Sequence, residues 1–115
     1  QRKGEINQAS ANLREVEATY EQQTLLLRRD IDASYQRYLI AKEQVMTFEE
    51  SLLDQAESVL KVVESAYRFG ERGILEYLDA QRTQRAVRKD YLAARLDYLI
   101  SIMEMEQLLG TKIME

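Results

Sequence analysis

Apolar residues recur along this chain at alternating steps of four and three. From Leu27 the series runs through Ile31, Ser34, Tyr38, Ala41, Val45, Phe48, Leu52, Gln55, Val59, Val62, Ala66 and Phe69, with Ser34 and Gln55 as its polar members. A heptad held this long lines one face of an α-helix and drives left-handed supercoiling. A second stripe, Tyr35, Leu39, Met46, Leu53, Ala56, Leu60, Val63 and Tyr67, runs beside the first. A two-stranded coiled coil covers only one of them, so the pattern predicts a helix that packs against more than one neighbour, in a bundle or a wall of helices. Toward the N-terminus Ile6, Ala9, Leu13, Val16 and Tyr20 keep the heptad, but the phase slips near Gln22, Gln23 and Thr24. A stutter there marks a change of packing partner.

Between Glu5 and Phe69 no glycine or proline interrupts the helical pattern. At about 1.5 Å per residue such a helix is on the order of 95 Å long. Turn chemistry is confined to Arg68-Phe69-Gly70-Glu71-Arg72-Gly73, where glycine can take the left-handed conformation that closes a helix. A second helix follows from Ile74 to Leu109, with Gly110 in the position of a C-terminal cap. Its apolar set is Ile74, Leu75, Leu78, Val87, Tyr91, Ala94, Tyr98, Ile102, Met105 and Leu109, broken by the polar run Gln81 to Arg85. The expected fold is all-α: a long antiparallel coiled-coil hairpin with a helix over about 5–69, a turn over 70–73 and a helix over 74–109. A short connection favours antiparallel neighbours. The shorter second helix leaves roughly the first 30 residues without an intramolecular partner.

Composition narrows the chemistry. The 115 residues include no proline, cysteine or histidine, which removes disulfides, thiolate and imidazole metal sites, and nucleophile–histidine pairs. No cofactor, metal or catalytic residue is expected, and the chain does not read as an enzyme. Met103, Met105 and Met114 suggest a soft-metal site, but methionines in a heptad seam are ordinarily packing residues, and no His or Cys completes a ligand set. The net charge of −4, with both signs interspersed, disfavours a nucleic-acid partner, and Glu76, Asp79 and Asp90 interrupt the basic run around Arg82, Arg85, Arg88 and Lys89. No apolar run approaches the roughly 20 residues that span a bilayer as a helix, and the opening residues lack the hydrophobic core of a signal peptide.

The stretch from Glu64 to Thr83, ESAYRFGERGILEYLDAQRT, followed by DYLAARLDYL from Asp90 to Leu99 and the ending Leu108-Leu109-Gly110, resembles the TolC-type outer membrane efflux proteins. The spacing Tyr67-x-x-Gly70 followed by Leu78-Asp79-Ala80 carries most of the specificity. The opening Lys3-Gly4-Glu5-Ile6-Asn7-Gln8-Ala9 also looks like the family's entry into its long helix, particularly in heavy-metal efflux members. The resemblance implies that residues 1–115 are one helical hairpin of the family's periplasmic α-barrel, a fragment without the signal peptide, the membrane strands or the other repeat. It places the segment in the periplasmic portion of an outer membrane protein.

By the same resemblance, Arg68, Phe69, Gly70, Glu71, Arg72, Gly73 and Ile74 form the tip that docks on a periplasmic adaptor, which in turn joins an inner-membrane pump. Tyr67 and Arg72 match gating positions that hold the tip closed against a neighbouring hairpin. Glu76 and Asp79 match the acids of the pore constriction, with Glu76 standing where the family usually has Asp. The resemblance further implies a homotrimer for the full-length protein. Each assignment has a plainer counterpart. Glu76 and Asp79 also fit solvated acids near a helix N-terminus, Tyr67 fits core packing with its hydroxyl at the edge, and Arg72 fits an exposed turn residue. The alternative function is a structural coiled-coil scaffold or dimerisation hairpin, and the segment alone can also self-associate as a helical bundle.

Overall fold

The computed structural model describes residues 2–114, the side chains of Lys112 and Met114 excepted. One helical line runs from Arg2 to Arg68 in three pieces: α1 (Arg2–Thr47), a π-helical turn (Phe48–Leu52) and α2 (Leu53–Arg68). After the connection at 69–73, α3 (Ile74–Met114) returns antiparallel along it. The molecule measures 99 × 21 × 14 Å, with a radius of gyration of 27.3 Å. A compact chain of this length would have a radius near 13 Å, so the hairpin is a rod two helices wide.

The core is a thin seam, and its narrowest part is built from small residues. Ala41, Val45, Val63, Ala80 and Ala94 are the buried apolar side chains, joined by Ser34 and Ser101. Alanine and serine let the two backbones approach closely, so the bulk of the packing falls to tyrosines at the edges. Tyr38 stacks on Tyr98 across the hairpin with ring centroids 5.7 Å apart, and Tyr35 stacks on Tyr38 at 6.2 Å. Nearer the tip Tyr67 lies against Tyr77 at 5.2 Å. The two pairs that cross the hairpin, Tyr38–Tyr98 and Tyr67–Tyr77, match the register of the two helices, and each aromatic pair adds of order 1 kcal/mol beyond its buried area.

The structure departs from the sequence-based pattern at three places. The first is the seam. From Leu27 to Phe48 the first stripe faces α3, but beyond the π-turn the second stripe takes over through Leu53, Ala56, Leu60, Val63 and Tyr67. Val59 and Val62, expected inside, are 55% and 64% exposed. A π-turn holds one residue more than an α-turn, and Leu53 accordingly donates its N–H to the carbonyl of Phe48, five residues back. One extra residue advances the downstream numbering on every face by about 100°, the α-helical angle per residue.

The second departure is Gly110, which does not cap α3: the helix runs through it to Met114. With no side chain contact within 4 Å and a helical backbone, this glycine forms one more helical step. The added turn carries α3 further back along α1. Thr24 and Leu27 are partly covered, and the stretch that stands alone ends near residue 23 rather than 30.

The third is the polar run of α3. Gln81 and Gln84 are partly buried and continue the seam between Ala80 and Val87, so Gln81 to Arg85 does not break it. The phase slip expected near Gln22 to Thr24 leaves the α-helix itself uninterrupted.

Candidate functional site

The candidate site is the tip, and its shape follows from how α2 stops. Phe69 leaves the helical region at φ −90°, ψ 6°. Gly70 then takes φ +74°, the left-handed conformation that only glycine adopts at little cost. The Gly70 N–H donates to the Tyr67 carbonyl at 3.0 Å, and the Glu71 N–H donates to the Ala66 carbonyl at 2.8 Å. This pair of bonds is a Schellman motif, which satisfies the last carbonyls of the helix and reverses the chain. Gly73 has no positive φ, so the reversal rests on Gly70 alone.

The expected tip residues come together as a solvent-facing cap. Arg68, Phe69, Gly70, Glu71, Arg72, Gly73 and Ile74 are all exposed, Phe69 by 79% and Ile74 by 52%. A phenylalanine this bare at the end of a helix contributes nothing to the hairpin's own core. Arg68 is tied back to Glu64 at 2.7 Å, one helical turn earlier.

The residues placed at the gate and constriction lie beside the cap. Tyr67 packs its ring on Tyr77 within the chain. Arg72 reaches Glu76 at 3.5 Å and Arg82 reaches Asp79 at 3.6 Å, so each acid has an arginine within its own chain. Glu76 sits in the first turn of α3, where the helix dipole favours a carboxylate. All four charged side chains are more than half exposed, so each pair contributes at most about 1 kcal/mol. Among the described residues no group of three or more His, Cys, Asp or Glu side chains is placed to hold a metal ion, and Met114 of the methionine set lies outside the described side chains.

A second polar cluster, which the heptad reading passed over, sits at the π-turn. Tyr91 of α3 donates its hydroxyl hydrogen to Glu49 Oε1 at 2.9 Å. Its ring lies 6.0 Å from that of Phe48, and the Arg95 guanidinium stands 5.7 Å above it. The hydrogen bond to the Glu49 carboxylate, with some desolvation, pushes the Tyr91 hydroxyl above the ordinary phenol range. The polar entry Gln55 in the first stripe, beside an unbroken second stripe from Leu53 to Tyr67, is the sequence signal of this switch.

The described residues form a rod with an ordered glycine cap and large apolar side chains exposed along its length. The model of the family described as outer membrane efflux protein matches residues 1–111, and the chain belongs to that family. It is 34% identical over 62 residues to the outer membrane protein TolC of Vibrio cholerae serotype O1. That match covers 54% of this chain and 14% of the relative's length. No solved structure matches the chain. No helix among the described residues is long and apolar enough to cross a membrane.

Proposed function

We propose that this hairpin is a wall segment of the periplasmic tunnel of an outer membrane efflux duct, with residues 68–74 as the tip that docks on a periplasmic adaptor. The observation that carries the reading is a 99 Å rod from an efflux family whose outer apolar residues have no cover within the chain. Leu13, Val16 and Tyr20 before the hairpin, and Leu92, Leu96, Leu99 and Met103 on the back of α3, are each more than half exposed. Neighbouring helices of a tunnel wall would bury them. The stripe on α3 returns at steps of four, three and four, the period a further coiled-coil partner requires.

At the tip, Phe69 and Ile74 flank Arg72 and form a small apolar and basic knob on a rigid turn, suited to the end of another helical hairpin. Three-residue spacing puts Glu76 and Asp79 on one face of α3. In a symmetric assembly of this family they would recur as a ring that favours cations, moderated by Arg72 and Arg82. Tyr67 and Arg72 would hold neighbouring hairpins together in the closed state. The role is passive conduction in a trimer, driven by an inner-membrane pump through the adaptor.

The test is made in the full-length protein, with Gly70→Glu and Arg72→Glu introduced separately and adaptor capture measured by site-specific cross-linking from the tip. Loss of the adaptor cross-link with the trimer intact is expected. Unchanged capture by both variants removes the docking assignment and leaves the hairpin as a structural scaffold.

A further inference from the structure

The distribution of exposed apolar residues on the two flanks of the long helix changes at the π-turn. Above it, Tyr35, Leu39 and Met46 each lie one residue after a seam position and are 38–46% exposed. The opposite flank there is mixed: Ile40 is 59% exposed, beside Gln44 and Arg37, and Arg37 is bridged to Glu104 of α3 at 3.5 Å. Below the π-turn the two flanks separate by polarity, and the apolar residues stand only on the side before the seam. Val59 and Val62 lie one residue before a seam position and are exposed. The flank one residue after the seam carries Glu57, Lys61, Glu64 and Arg68, joined by the Lys61–Glu57 and Arg68–Glu64 bridges.

The partner helix shows no such change. The buried and half-buried positions of α3 include an unbroken heptad series from Tyr77 through Ala80, Gln84, Val87, Tyr91, Ala94, Tyr98 and Ser101. On the long helix Val45 and Tyr67 are 22 residues apart, one more than three heptads. That single residue is the one held in the π-turn. Without it, the first stripe would stay in the seam as far as Phe69, and the second would face outward all the way down.

We propose that the Phe48–Leu52 π-turn is a register device: its extra residue selects which of two competent stripes the tip half turns toward α3, and with it which flank of that half exposes apolar residues. Tyr91 is the positioning residue. It meets the first two residues of the π-turn, its ring tilted against Phe48 and its hydroxyl bonded to Glu49, and so determines where along the helix the surplus residue resides. The inference concerns pairing within the hairpin and stands apart from the transport reading.

The experiment uses cysteine pairs in the full-length protein, with disulfides mapped to peptides by mass spectrometry; this segment contributes no cysteine of its own. Val63 and Ala80 are buried in the seam and level with one another in the register set by Tyr67 and Tyr77. Val63→Cys with Ala80→Cys is expected to cross-link, and Val62→Cys with Ala80→Cys is not. Deleting Glu50 should reverse that preference while helicity is kept, because the first stripe offers Val59, Val62 and Ala66 to the seam. A deletion chain that still joins 63 to 80, or that fails to fold, overturns the proposal. Tyr91→Ala should yield both cross-links and Tyr91→Phe, which keeps the ring, mainly the native one. A native pattern in Tyr91→Ala removes Tyr91 from the device.

Discussion

Above the π-turn the buried positions are mostly small, Ser34, Ala41, Ala94 and Ser101 with Val45, whereas below it Val63 and Ala80 are joined by half-buried Leu53 and Leu60. Ser34 and Ala41 of α1 face the stretch of α3 that holds Ala94 and Ser101, and the tyrosine stack at Tyr35, Tyr38 and Tyr98 flanks the contact. In the tip half the seam uses Leu60, Val63 and the Tyr67–Tyr77 pair, with Gln84 occupying a position that an apolar residue would fill. The same two helices thus pack with different tolerance along their length. Ala41 and Ala94 are buried, so a larger side chain at either position displaces its neighbours. Where Gln84 sits, the seam is partly polar and has room to improve.

The sharpest way to break this contrast is to enlarge the upper seam. Ala41→Leu should cost about 2–3 kcal/mol by overpacking, read as a lower thermal midpoint, whereas Gln84→Leu in the tip half should raise it. Equal losses at both positions would show that the two halves do not differ as described. Gly70→Ala comes next: at φ +74° a Cβ strains the backbone by about 1–2 kcal/mol although no atom lies near it. Gly73→Ala meets neither strain nor contact and should be neutral or stabilising by a few tenths of a kcal/mol. A comparable loss at Gly73 would contradict the assignment of the reversal to one glycine.

Smaller gains are expected where the upper half carries costs. The Ser34 hydroxyl is fully buried with no hydrogen-bond partner. Ser34→Ala removes that penalty and adds helix propensity, for a gain of about 1 kcal/mol. Gly110→Ala, inside α3, should gain a similar amount, about 0.8–1 kcal/mol by propensity. Urea midpoints measure both, and a loss at Gly110 would place it back at a helix end.

The hairpin and its turn were legible because their signals are local and redundant. The long heptads specify helix, and Phe69-Gly70 specifies a left-handed stop that the Schellman bonds realise. The π-turn was less legible because both stripes satisfy the same period: choosing between Val62 and Val63 needs the geometry of α3, and the weak cue of Gln55 points to the switch without locating it. Gly110 misled because glycine near a chain end resembles a cap, while packing along α1 carries the helix through it. The turn at 68–73 is read from its glycines and the docking, gating and constriction roles only from the resemblance, while the intrachain pairs, Arg72 with Glu76 and Arg82 with Asp79, emerge only from the fold.

The least of these effects separates the region around Tyr91 and Tyr98 from the rest by pH. The Tyr91 hydroxyl is held above the ordinary phenol range first by its bond to Glu49, and the Tyr98 hydroxyl first by the neighbouring Tyr38 hydroxyl, with desolvation adding to both. A phenol whose folded value lies above its unfolded value, near 10, contributes stability that is fully present below pH 10. That contribution is lost as pH rises through the higher folded value, because ionisation puts a phenolate against Glu49 or against the second tyrosine. The thermal midpoint should therefore fall above about pH 10, and Tyr91→Phe should fall less steeply because it has no hydroxyl to ionise. Absorbance of phenolate near 295 nm, followed alongside the circular dichroism of the helices, measures both. If Tyr91→Phe falls as steeply as the parent chain, the bond between Tyr91 and Glu49 does not contribute to joining α3 to the π-turn.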